Sequence, residues 1–346
     1  MNSETFLVCL FIAITTNIIR ITNRKVKYKL VQKNFYTDYK VISKPQIINK
    51  QDNVYNNQIV SEEMNNIINK VYSVLEPEVS KESMQIIENN LNNIKEKSSY
   101  LKSIKLSLIG GGGKYSPIGH TISKNYFLTK KDMIIKGKQV ESKKLLQKIL
   151  SHELIHAASS HKNKNKIIVG FNQCNMLRPN SSNIGRGINE GYTDYISNKY
   201  IVDKNLNIKG VDVGYNYEVI IAQIIELIVG KEKMINMFFQ GDLEGLIKEL
   251  SKYQDELKVK QFILDLDTIS FAKSNVVSKN DKELITTLYN RINIFLYKAF
   301  SNKTEEQVNK DVLDDYLKDS KKYLQLFSEL DKINLIRKKT KKEIKK

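Results

Sequence analysis

The sequence predicts an α+β fold, with a small mixed sheet packed on one long helix and a mainly α-helical C-terminal lobe behind it. Three observations lead there. Leu145–Ala158, LLQKILSHELIHAA, has no Pro or Gly, is rich in Leu and Ile, and is long enough for about four helical turns. Ahead of it, Leu101–Ile109 (LKSIKLSLI) and His120–Leu128 (HTISKNYFL) read as strands. From Tyr215 onward, apolar residues recur at helical spacing almost to the end of the chain. At 346 residues, 41% hydrophobic and 27% charged, the composition is that of a folded protein rather than a disordered one.

Residues 6–19, FLVCLFIAITTNII, are an apolar run that is short for a membrane span, although extension through Arg20 and Ile21 lets it cross with snorkelling ends. We read residues 6–21 as a single uncleaved anchor. A secretory signal fits less well, because Met1–Thr5 has no Lys or Arg and carries Glu4, and no small-x-small cleavage site follows. Arg20, Arg24, Lys25, Lys27 and Lys29 crowd the far side, which by the positive-inside rule leaves the following domain in the cytoplasm. The alternatives are a secreted protein and a buried strand or helix start.

The formal net charge of +18 sits mainly at the two ends. Residues 20–50 hold nine Lys/Arg against one Asp, and Arg337–Lys346 holds seven against one Glu. Only six of the 56 basic residues are Arg, the side chain suited to bidentate phosphate recognition. The Lys excess therefore reads as compositional bias, with end clusters able to hold an anionic membrane surface weakly, and no specific nucleic-acid partner is expected. The two cysteines, Cys9 and Cys174, imply no disulfide framework.

Residues 51–100 carry two helical stripes, Met64-Ile67-Ile68-Val71 and Met84-Ile87-Leu91-Ile94, separated at Glu76-Pro77. Gly110–Lys114 fails as a phosphate loop, because Leu108 stands where its first Gly belongs and Tyr115 where Ser or Thr is required, so it reads as a flexible loop. Ser159–Ile188 is polar and without periodicity, and it reads as a loop that covers or lines a site. Beyond Tyr215, Val219, Ala222, Ile225 and Ile228 form a stripe that stops at Gly230. Met234–Phe239, Leu243–Tyr253, Leu257–Phe271, Leu284–Phe300 and Val308–Leu335 continue as amphipathic helices. The chain thus divides into residues 1–50 (apolar segment and basic linker), 51–100 (helical), 101–205 (core), 206–336 (helical lobe) and 337–346 (basic tail).

The chemistry concentrates in His152-Glu153-Leu154-Ile155-His156. Two of the four histidines of the chain fall here. Leu145, Ile149, His152 and His156 follow steps of four, three and four and share one helix face. Two imidazoles one turn apart can bind one Zn²⁺, while Glu153, about 100° round the helix, lies beside the ion, where it can take a proton from water. Some thirty residues on, Asn189-Glu190-Gly191-Tyr192-Thr193-Asp194-Tyr195 heads a second helical run. Glu190 can complete a His₂Glu site with an open fourth position, and Asp194, one turn further on the same face, can accept the outer N–H of a ligand histidine. A metzincin reading fails, because Ser159 and Lys162 stand where its Gly and third His are required. A variant with Asp194 as the third ligand leaves Glu190 without a role.

His152, Glu153, His156, Asn189, Glu190 and Asp194 together resemble the gluzincin, thermolysin-like clan of metallopeptidases, whose pattern is H-E-x-x-H followed by N-E-x-x-x-D. The block GRGINEGYTDY is similar to that of uncharacterised bacterial relatives. The resemblance spans about residues 105–230. The spacer between the two motifs is longer than in the thermolysin type, and no further His takes a transition-state position. Arg186, Tyr192, His161, Tyr215 and Tyr217 are all able to stabilise an oxyanion, and the sequence does not choose among them.

The resemblance implies zinc-dependent hydrolysis of peptide or protein substrates, with catalytic Glu153, metal ligands His152, His156 and Glu190, and Asp194 behind them. It also implies that the strand preceding the zinc helix, here His120–Leu128, takes an extended peptide along its edge, although an ordinary edge strand accounts for it equally well. The competing class is a membrane-tethered, non-enzymatic scaffold or regulator that retains a metallopeptidase fold.

Overall fold

The computed structural model describes residues 60–97, 113–124, 133–135, 138–140, 142–163, 166–175, 183–202, 216–273 and most of 287–299. The apolar segment 6–21, the segment Leu101–Ile109 read as a strand, the segment Val308–Leu335 read as a helix and both basic ends lie outside the described residues. Among the described residues no helix is long and apolar enough to cross a membrane.

The first two helices form on the predicted apolar stripes, except that Met84 is half-buried and Ile94 lies beyond the end of the second helix. α1 (Glu62–Leu75) buries Met64, Ile67, Ile68, Val71 and Leu75 and ends before Pro77. α2 (Lys81–Asn92) starts at Ser80, whose hydroxyl accepts the Ser83 amide, and buries Ile86, Ile87 and Leu91.

A mixed three-stranded sheet follows in the order β1 (Lys95–Glu96), β3 (Thr121–Lys124), β2 (Gly113–Ser116). β1 runs parallel to β3, and β2 antiparallel to it in the register Tyr115↔Ile122. Two expectations change here. β3, from the segment read as an edge strand, is paired on both sides, and among the described residues β1 and β2 are the outer strands. The end of the glycine-rich run is strand rather than loop, because Gly113 lies against the long helix. A Cβ there would stand 2.6 Å from Ile149 Cγ2 and 3.4 Å from Glu153 Cγ, so the strand approaches this closely only without a side chain.

After a short hairpin of β4 (Met133–Ile135) and β5 (Lys138–Val140), α3 (Ser142–Ala158) runs through the middle of the molecule. Leu150, Leu154, Ile155, Ala157 and Ala158 are fully buried. α1, α2, α4 (Arg186–Ile196), β2 and β3 all pack on it, so its apolar surface wraps most of its circumference, as expected of a central helix.

The spacer read as a loop is largely a three-stranded antiparallel meander, β6 (Ser160–Asn163), β7 (Lys166–Val169) and β8 (Asn172–Asn175). Its outer strands, SHKN and NQCN, have no apolar alternation. The buried Ile167, Ile168 and Val169 of β7 anchor the sheet instead. α4 continues into a π-helical turn, Ser197–Ile201. The helical lobe comprises α5 (Asn216–Val229), α6 (Lys231–Phe239), α7 (Leu243–Leu250), α8 (Glu256–Lys273) and helical residues within 287–299. Buried apolar residues of all these helices join those of α1–α4 in one continuous cluster. The architecture is thus mixed α and β, mainly helical, with small sheets.

Candidate metal centre

α3 and α4 pack directly on one another and place the two motifs face to face. α4 also lies against α5 at a distance set by Gly191, where a Cβ would stand 2.2 Å from the Glu218 carbonyl oxygen. The glycine beside Glu190 therefore seats the helix that carries it.

His152 Nε2 and His156 Nε2 are 3.0 Å apart, and Glu190 Oε2 lies 3.4 Å from the first and 3.3 Å from the second. The rings are edge to face, with centroids 4.6 Å apart. The three side chains are largely but not wholly covered, at 14% exposure for His152, 9% for His156 and 14% for Glu190, which leaves a side open to solvent. Among the described residues this is the one group of three or more His, Cys, Asp or Glu gathered closely enough to hold a metal ion.

The outer nitrogens have partners of their own. Asp194 Oδ1 lies 3.1 Å from His152 Nδ1. His156 Nδ1 lies 3.4 Å from Thr193 Oγ1 and 3.4 Å from Asn189 Nδ2. Asn189 is itself oriented, because its Oδ1 accepts the Phe171 amide at 3.1 Å. The electrostatics favour positive charge at the centre. Burial works against a charged His152 ring, but the bonds to Asp194 and Glu190 outweigh it and raise its pKa to about 10. Burial likewise works against the Glu190 carboxylate, yet the His156 and His152 rings hold it well below the usual carboxylate range.

Glu153 is not one of the three donors, and its Oε2 accepts the Tyr115 backbone N–H at 2.5 Å. Of the groups considered for an oxyanion, two are committed elsewhere. His161 Nε2 is 2.8 Å from the Phe239 carbonyl oxygen, and the fully buried Tyr192 donates its hydroxyl to Glu226 at 2.6 Å. Tyr217 packs its ring on Tyr289 at 4.4 Å between centroids, and Tyr215 lies outside the described residues.

Sequence reasoning missed Asp267, on α8, which accepts the amides of Gly185 and Gly187 at 2.8 and 2.7 Å and so holds the start of α4. It also missed His120 and Tyr115, whose side chains meet at the turn between β2 and β3. A lone acidic residue eighty positions away has no local signature, and a histidine in a turn has only its type.

No family model, curated protein or solved structure matches this chain. The functional reading therefore rests on the arrangement of the chain's own residues.

Proposed function

We propose that the chain is a zinc-dependent hydrolase of peptide bonds, in which His152, His156 and Glu190 hold the ion and Glu153 is the general base. The observation that supports this best is the triangle of donor atoms. Donors about 2.0–2.1 Å from a tetrahedral zinc stand about 3.3 Å from one another, and the three separations here are 3.0, 3.3 and 3.4 Å. The donor set, two imidazoles and one carboxylate with an open fourth position, suits catalytic zinc. Bound there, zinc supplies a Lewis acid that polarises the scissile carbonyl and makes water a nucleophile near neutral pH.

The chain's own residues do the rest. Asp194 accepts the Nδ1 proton of His152 and thereby presents the Nε2 lone pair to the ion, and the Thr193 hydroxyl can do the same for His156. Glu153, one residue along from His152, is held beside the donors and not among them. Its free oxygen accepts the proton of the attacking water and passes it to the departing amine. A peptide class of substrate is supported by β2, which has β3 on one side and, among the described residues, no strand on the other. An extended peptide laid along that edge brings its carbonyls past Glu153.

The test combines metal analysis with cleavage. The purified chain is expected to contain one zinc, at the one candidate group among the described residues, and to cleave members of a broad peptide library in a chelator-sensitive way. Glu153→Gln should keep the zinc and lose turnover. Zinc without cleavage by the parent chain points to a scaffold, and equal cleavage by Glu153→Gln removes the mechanism.

A further inference from the structure

We propose that His120 is a positioning residue, which fixes the Glu153 carboxylate through Tyr115 and keeps it beside the ion rather than on it. The role given to the ion rests on the metallopeptidase reading, whereas the positioning itself does not.

His120 sits in the turn between β2 and β3 with φ of +46°, and among the described residues no other non-glycine has a positive φ. Few side chains adopt that conformation, so something must hold the residue in it. Both ring nitrogens are engaged. Nε2 lies 2.6 Å from the Asn90 carbonyl oxygen, which can only accept, so this nitrogen carries the proton. Nδ1 is left with its lone pair, 2.7 Å from the Tyr115 hydroxyl, which donates to it. Burial lowers the imidazole pKa against the pull of the Asn90 carbonyl and thus favours the neutral ring this pattern requires. The Tyr115 ring meets His120 edge to face, with centroids 5.6 Å apart, and is itself buried.

With its hydroxyl held by His120 and also hydrogen-bonded to the Ser160 side chain, Tyr115 has little freedom to shift, and its backbone N–H points at Glu153 Oε2 from 2.5 Å. Gly113, two residues earlier, closes the strand onto Ile149 and Glu153. Asn90 ties both sides to one point. Its carbonyl receives His120, while its side-chain amide donates to the carbonyls of Ala158, at 2.9 Å, the last residue of the helix that carries Glu153, and of Ser160, at 2.8 Å, the first of β6. The strand that pins the carboxylate and the helix that bears it therefore share an anchor. A flexible glutamate next to a metal site can swing in and become a fourth ligand. One with an oxygen tied to a strand amide keeps the other oxygen for the proton and leaves the fourth position open.

The experiment follows the Tyr115 amide by proton–nitrogen NMR in the full chain labelled with ¹⁵N-tyrosine, one of 18 such residues. It needs neither zinc nor turnover. Tyr115→Phe removes the Tyr115 signal and Glu153→Gln shifts it, which together assign it. In His120→Ala the Tyr115 amide proton should move upfield and exchange with deuterium about tenfold faster, while tyrosine amides elsewhere stay in place. His120→Gln, which keeps one acceptor and one donor, should restore the parent behaviour.

Should His120→Ala fail to fold, Tyr115→Phe labelled with ¹⁵N-phenylalanine removes only the hydroxyl, and its amide should be shifted upfield in the same way. An amide at residue 115 that keeps its shift and exchange rate in a folded His120→Ala or in Tyr115→Phe overturns the proposal. On a peptide the parent cleaves, both variants should lose at least about tenfold in kcat at little cost in KM and with zinc content unchanged. A drop in thermal stability with kcat intact would mean that His120 only holds the fold. If no peptide is cleaved at all, the hydrolase reading falls while the amide shifts still decide the positioning role.

Discussion

Asp194 Oδ1 lies 3.1 Å from His152 Nδ1, on the side of the ring away from Glu190, whose Oε2 faces Nε2 at 3.4 Å. One helix thus grips both nitrogens of one imidazole, because Glu190 and Asp194 are a single turn apart on α4. Asp194→Ala should lower zinc affinity about 10–100-fold, measured by competition with a chromophoric chelator. Asp194→Asn should cost less, since its amide oxygen still accepts the Nδ1 proton. Equal affinity in Asp194→Ala and the parent would show that His152 needs no help in presenting Nε2.

Glu190→Ala removes one corner of the donor triangle and leaves two imidazoles on α3. Zinc measured by elemental analysis after dialysis is expected to fall from one per chain to a small fraction, with helix content by circular dichroism unchanged, since neighbouring Asn189, Thr193 and Asp194 keep the buried face of α4. Full retention of zinc would assign the third ligand elsewhere, Asp194 first.

What the sequence disclosed follows a physical division. α3 and α4 were legible because helical periodicity is local, and two histidines at positions i and i+4 have both rings on one face whatever the rest of the fold does. The described helices of the lobe were legible for the same reason, with Ala222, Ile225 and Ile228 of the predicted stripe buried and Val219 half-buried. The meander Ser160–Asn175 was not, since its outer strands are polar and their pairing is set by what β7 packs against. The strand β2 was hidden as well. Glycine argues against a strand locally, and the reason for Gly113 is Ile149, far along the chain and close only after folding. Asp267 and His120 act by long-range bonds to backbone amides and carbonyls, which leave no spacing to read.

Gly191→Ala tests how tightly the site is seated. A methyl there would meet the Glu218 carbonyl oxygen at 2.2 Å, and backbone on both sides leaves little room to yield. The variant should lose about 1–3 kcal/mol in urea unfolding, and because Glu190 is the adjacent residue it should also bind zinc more weakly. Parent-like stability and affinity together would mean that α4 and α5 separate freely.

Asp267 gives the chain a pH dependence whose sign can be worked out. Its carboxyl accepts the amides of Gly185 and Gly187 at the start of α4. Burial pushes its pKa from the usual 3.8 up to about 7, against the pull of those two amides and of the Arg186 charge. An acid whose folded value lies above its unfolded value binds its proton more tightly in the native state. Its contribution is therefore fully present below the unfolded value and is lost as pH rises through the folded one. Between pH 4 and 7 the stability of the parent chain should decline relative to Asp267→Asn by at most about 1.4 kcal/mol per pH unit, and the difference should level off above pH 7.

Asp267→Asn titrates no proton there and offers one acceptor for the two amides, so it should be less stable at low pH and flatter across the window. Urea midpoints of both chains, taken at half-unit steps from pH 4 to 8, isolate this group because the other titrations cancel in the difference. A difference that rises with pH would mean that the amides and the helix start outweigh burial, and that Asp267 is ionised in the folded chain.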